Sequence, residues 1–110
     1  DTVMNLPLAP GTGSDGFRQV WEDSVFPRVA AFAPDLILVS AGFDAHRADP
    51  LAELRFETAD FAWVTDRLCD VADAVCGGRI VSCLEGGYDL DALAESAAAH
   101  VDRLIARGTG

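Results

Sequence analysis

Lysine is missing from these 110 residues. The eight basic side chains are all arginines, set against 18 acidic ones, and the formal net charge is −10. A nucleic-acid surface needs a basic footprint, so this balance argues against one. It suits a cationic substrate or partner, which an acidic field attracts, although plain solubility is the simpler reading. Cysteine is scarce, with Cys69, Cys76 and Cys83 only and no Cys-x-x-Cys pair. Cys69 and Cys76 fall two turns apart on a predicted helix, about 10 Å at 1.5 Å per residue, too far for a disulfide. The three are expected to be reduced packing residues of a cytoplasmic protein, and they make a thiolate zinc site a poor reading. No apolar run reaches membrane-spanning length, and no charged-then-apolar leader is visible. Gly11 and Gly13 form a Gly-x-Gly, but no Gly-Lys follows at phosphate-loop spacing, so a plain turn is expected there.

What is present is a half-hydrophobic chain of about one small domain, with strand and helix patterns in alternation. Residues 2–8 read as a short strand weakened by Pro7. Ser14 or Asp15 can cap a helix whose apolar face is Phe17, Val20, Trp21, Val25, Val29 and Phe32, with a kink or split expected at Pro27. Residues 36–39 are an apolar, branched run with the character of a buried strand. Thr58 is a plausible N-cap for a second helix, with Phe61, Val64, Leu68, Val71 and Val75 on one face and Gly77-Gly78 as its stop. Residues 79–84 read as a third strand. Asp89 or Asp91 then caps a last helix with apolar positions Leu90, Leu93, Ala94, Ala97, Val101 and Leu104. This order predicts an α/β fold of three-layer form, with about three parallel strands and three main helices flanking the sheet. So thin a sheet has two bare edges that invite more strands. The chain also opens on Asp within a predicted strand, so residues 1–110 are expected to be one segment of a larger single domain.

The chemistry gathers at two glycine turns. The strand at 36–39 runs into Ser40-Ala41-Gly42-Phe43-Asp44, followed by His46, Asp49, Pro50 and Leu51. The strand at 79–84 runs into Glu85-Gly86-Gly87-Tyr88. In a parallel sheet both turns lie at the carboxyl ends of their strands, where ligands bind. If the strands are neighbours, Asp44 and Tyr88 can face one small pocket. A carboxylate on such a turn suits a divalent metal. A tyrosine hydroxyl beside it can donate to an oxyanion as charge develops on a carbonyl. Together they read as metal-assisted hydrolysis. Singly, each residue has a structural reading: Asp as a turn former, Tyr as a packing residue. His46 is expected to be solvated or hydrogen-bonded rather than a ligand, His100 to be a surface or packing residue, and Glu85 to be held by local amides. A catalytic zinc needs three protein ligands, and one convincing candidate is present.

The stretch from Ser40 to Leu51 together with Leu84-Glu85-Gly86-Gly87-Tyr88-Asp89-Leu90 resembles the histone deacetylase superfamily. The nearest flavour is its class II-like bacterial branch, with acetylpolyamine amidohydrolases and acetoin-utilisation proteins as relatives. The resemblance runs from about Asn5 through the last helix and implies an arginase/deacetylase-like fold. It makes Asp44 a zinc ligand and Tyr88 the transition-state tyrosine. Phe43, Leu51, Gly86 and Gly87 become substrate-binding residues, with Leu51 on the wall of an acyl-lysine tunnel and the glycines near its floor. The family's other zinc ligands and its tandem histidines lie upstream of these motifs. The activity implied is zinc-dependent hydrolysis of an N-acetylated amine, acetyl-lysine or acetylpolyamine, by the parent protein, with this segment alone inactive. The alternative is a degenerate deacetylase-like module that binds acylated ligands or protein partners. Nucleic acid and membrane are not expected partners, and oligomer formation is left open.

Overall fold

The computed structural model describes residues 2–43, 46, 48 and 56–108. The first helical stretch is continuous but changes pitch. It comprises α1 (Ser14–Val20), a π-helical segment (Trp21–Val25) and α2 (Phe26–Phe32). Pro27 lies in the first turn of α2, where its missing N–H is least harmful, so the break expected there takes the form of the π segment. Ala33, left-handed at φ 53°, caps the end, and Pro34 prevents continuation.

β1 (Ile37–Gly42) and β2 (Ile80–Gly86) form a parallel pair, joined through α3 (Thr58–Val75). α4 (Leu90–Gly108) follows β2. α3 is capped by Glu57 rather than by Thr58, which is its first helical residue: the Glu57 side chain accepts from the backbone of Asp60, and Asp60 accepts from the Glu57 N–H at 2.8 Å. Its C-terminus turns through Gly77 and Gly78, both at positive φ. Asp89 caps α4 by accepting the Ala92 N–H at 2.9 Å. Among the described residues, no helix is long and apolar enough to cross a membrane.

Two further expectations are corrected. Residues 2–8 carry no strand, which leaves two strands among the described residues rather than about three. Pro7 removes a ladder donor, and among the described residues no strand pairs with this segment. The buried stripe of α4 is also rotated from the expected face. Ala92, Ser96 and His100 are buried, whereas Leu90 is 77% exposed and Val101 47%. Small side chains let α4 lie close to α3, and that contact decides the face.

The core lies on one side of the sheet. Phe17, Ala41, Phe43, Phe56 and Phe61 form one cluster, with Leu93 and Ala97 of α4 against it. Ile37, Ala72 and Cys76 form a second. On the opposite face Leu38 and Val81 are exposed. α3 and α4 are also tied by ion pairs, Arg103 to Asp66 at 2.7 Å and Arg107 to Asp70 at 2.6 Å.

Candidate functional site

The site is built where β1 and β2 end together. The register runs straight from Ile37 opposite Ile80 to Ala41 opposite Leu84, and then slips by one, so that Gly42 faces Gly86. The slip is a bulge at Glu85 and re-aims the Gly86-Gly87-Tyr88 turn. One rung beyond, the Phe43 N–H donates to the Gly86 carbonyl at 2.8 Å. The two glycine turns are thus hydrogen-bonded side by side, as neighbouring strands require. Gly87 has φ 143°, and a Cβ there would stand 2.9 Å from Leu93 Cδ1 and 3.4 Å from Phe43 Cβ. The turn is therefore seated on both side chains, and only glycine fits. Tyr88 comes next, 56% exposed, at the rim.

Phe43 does not face solvent. It is buried, edge-on to Phe61 at 5.1 Å and to His100 at 5.8 Å between ring centroids. Gly86 and Gly87 are half-buried in the turn itself. Asp44 and Leu51 lie outside the described residues. Among the described residues, no three His, Cys, Asp or Glu side chains gather as a metal set.

His46 is buried and hydrogen-bonded. Its Nδ1 accepts from the Ala48 N–H at 3.1 Å, which leaves Nε2 to donate to Thr58 Oγ1 at 3.1 Å. Its ring stacks at 16° to that of Phe61. Glu85 is exposed. All three cysteines are free, Cys69 and Cys76 buried and Cys83 exposed. Burial pushes the Cys69 thiol up, against the opposing pull of Arg107, so it has no nucleophile's character.

Sequence reasoning missed two buried polar centres. Asp60 is fully buried and accepts from Ser14 Oγ at 2.6 Å and Arg18 Nε at 3.0 Å, tying α1 to the start of α3. His100 lies within hydrogen-bond reach of Thr65 Oγ1 on α3 at 2.7 Å and Ser82 Oγ on β2 at 2.8 Å. Burial holds its imidazole below the ordinary histidine range. The available signal was the four-residue spacing Ala92, Ser96, His100, as regular as the leucine spacing but written in small and polar residues. Beside Thr65, His100 and Phe43 is a cavity of about 160 Å³, walled also by Phe17, Ala41 and Phe56.

The histone deacetylase domain family matches residues 1–104. The chain is 48% identical over 97 residues to histone deacetylase 14, chloroplastic, of Arabidopsis thaliana, covering 88% of this chain and 23% of that protein. It is 47% identical over 97 residues to histone deacetylase 10, chloroplastic, of Oryza sativa subsp. japonica, covering 88% and 22%. Among solved structures, the HDA15 HD domain superposes with a TM-score of 0.81 at 36% identity, over 89% of this chain and 27% of that one. The chain thus spans about a quarter or less of the length of these relatives.

Proposed function

Because this chain belongs to the histone deacetylase family, we propose that the protein carrying it hydrolyses the amide of N-acetylated amines, either acetyl-lysine or an acetylpolyamine. In this reading the chain supplies one metal ligand, Asp44, and one oxyanion donor, Tyr88. The observation that carries it is the hydrogen-bonded pairing of the two glycine turns, with Phe43 N–H on Gly86 O at 2.8 Å. Asp44 is the next residue after Phe43, and Tyr88 is two after Gly86, so the pair leaves adjacent strand ends.

Zinc is the metal this family implies. When bound, it supplies Lewis acidity toward the acetyl carbonyl and a water of lowered pKa. A single carboxylate is an acceptable oxygen donor for it but one-third of a ligand set, so the remaining donors belong to other parts of the protein. The chain's own contribution is positional. Tyr88 holds a donor at an exposed rim where carbonyl oxygen can accept it. Gly86 and Gly87 let the backbone approach the acyl group, Leu51 is assigned the apolar wall of that approach, and Phe43 supports the glycine turn from the core side. The absence of lysine and the −10 charge accord with an amine-bearing substrate. The free cysteines accord with a cytoplasmic location, which we include in the proposal.

The test uses the full-length protein and a fluorogenic acetyl-lysine peptide, with acetylated polyamines as the comparison substrates. Tyr88→Phe should lower kcat by about a hundredfold, the scale of one lost oxyanion donor. Asp44→Ala should lose bound zinc by elemental analysis. Wild-type turnover in Tyr88→Phe, or stoichiometric zinc in Asp44→Ala, would remove the corresponding role. Acyl-ligand binding without any turnover in the wild-type protein would replace the hydrolase with a binding module.

A further inference from the structure

We propose that His100 is a positioning residue for the Gly86-Gly87-Tyr88 turn, pinning β2 to α3 and seating the Phe43 ring beneath the turn. The inference rests on the role given to Tyr88 above.

The hydrogen-bond directions can be assigned from the partners. Thr65 Oγ1 lies 2.6 Å from the Phe61 carbonyl, which can only accept, so the threonine proton is committed there. Thr65 Oγ1 must then accept from His100 Nδ1–H at 2.7 Å. In the neutral ring this leaves Nε2 to accept from the Ser82 hydroxyl at 2.8 Å. Both ring nitrogens are thereby used, one toward α3 and one toward β2. Thr65 is 1% exposed and His100 8%, so the bond between them is shielded from competing water, while that to Ser82 is half-buried. Burial lowers the pKa of His100 and so keeps the ring neutral at neutral pH, while the Thr65 bond sets which nitrogen carries the proton.

The same ring meets the site through its edge. Phe43 lies at 61° to it, and a Cβ on Gly87 would lie 3.4 Å from Phe43 Cβ. A continuous path of contact therefore runs from His100 through Phe43 to the residue before Tyr88. A second path runs from Ser82 along β2 to Gly86. The serine, imidazole and threonine have the connectivity of a nucleophile, base and orienter, but they do not make one. The orienter is a neutral hydroxyl already donating to a carbonyl, with no charge to stabilise an imidazolium. The trio is an anchor.

Kinetics of the full-length protein on the acetyl-lysine peptide test this. His100→Phe keeps a ring against Phe43 but removes both polar bonds. It should lower kcat about tenfold with KM within about twofold, since a small misplacement of a reacting group is felt in kcat. His100→Gln, whose amide can still meet Ser82, should recover most of that loss. In a Tyr88→Phe background, His100→Phe should cost less than about twofold more, because it acts through the tyrosine it would have placed. Wild-type kcat in His100→Phe overturns the inference, as does an equal loss in both backgrounds. Tyr88→Phe turning over at the wild-type rate instead sinks the role of Tyr88 itself, whatever His100→Phe does. Should His100→Phe fail to fold, Ser82→Ala removes one hydroxyl from a half-buried strand position. Reduced kcat at unchanged KM then supports the anchor, and unchanged kcat overturns it.

Discussion

Gly87 shows how much one residue can hold in place. Its φ of 143° is unfavourable for any side chain, and its missing Cβ leaves the space that Leu93 and Phe43 occupy. Gly87→Ala should therefore destabilise the protein by about 1–3 kcal/mol, the usual scale of one strained backbone position. It should also lower turnover by displacing Tyr88. Thermal unfolding and kcat measured on the same preparation check both parts. The glycine turn and its tyrosine were legible in the sequence because glycine reports a backbone demand directly. His100 was not. A histidine inside a helix looks the same on paper whether it faces water or bridges α3 to β2, and its partners lie 35 and 18 positions away. Asp60 was hidden for the same reason: at a helix start an acid already has a local explanation, and the long-range one to Ser14 and Arg18 is invisible.

At the scale of elements, α4 was found in the right place with its inward face rotated, Leu93 and Ala97 packing on the core as expected but Leu90 and Val101 not. Leucine spacing pointed to Leu90 and Val101, but the helix buries Ala92, Ser96 and His100, because close approach to α3 favours small side chains. Ser96 is fully buried, and among the described residues its hydroxyl has no partner. A buried donor left unsatisfied costs about 1–3 kcal/mol. Ser96→Ala should therefore raise stability by about 1 kcal/mol, read as a higher denaturant midpoint at unchanged slope. A lower midpoint would mean that the hydroxyl has a partner after all. The strand expected at residues 2–8 failed for the opposite reason. Local propensity made it, but a strand exists only through a neighbour. The split at Pro27 was legible as a location, while its π-helical form depends on how Trp21 and Phe26 pack, with ring centroids 5.3 Å apart.

For the whole molecule, His100 links fold and pH. Burial lowers its pKa below the ordinary value near 6.5, so the unfolded chain binds the proton more readily than the folded one. Stability from this group is full above pH 6.5 and is lost as the pH falls through that value toward the lowered folded pKa. Denaturant unfolding of the full-length protein between pH 7.5 and 5 should show this decline, and His100→Gln should flatten it. An equal slope in both proteins would assign the decline to other groups. The family and its parallel α/β form were legible because two turn motifs and the interval between them sit on consecutive strand ends. One face of that sheet, with Leu38 and Val81 exposed, could not be read from strand pattern alone, since an apolar strand looks the same with one covered face or two.

The parallel pairing has a consequence in time as well as in space. Ile37 meets Ile80 only across the full length of α3 and its flanking loops. Helices form within microseconds from neighbours in sequence, whereas a parallel pair must first close a long loop. Pre-formed α3, about 27 Å long at 1.5 Å per residue, shortens that search. The expected order is helices first and the rim carrying Phe43, Gly86 and Tyr88 last, which pulse-labelled hydrogen exchange during refolding would read as late protection of the rim amides.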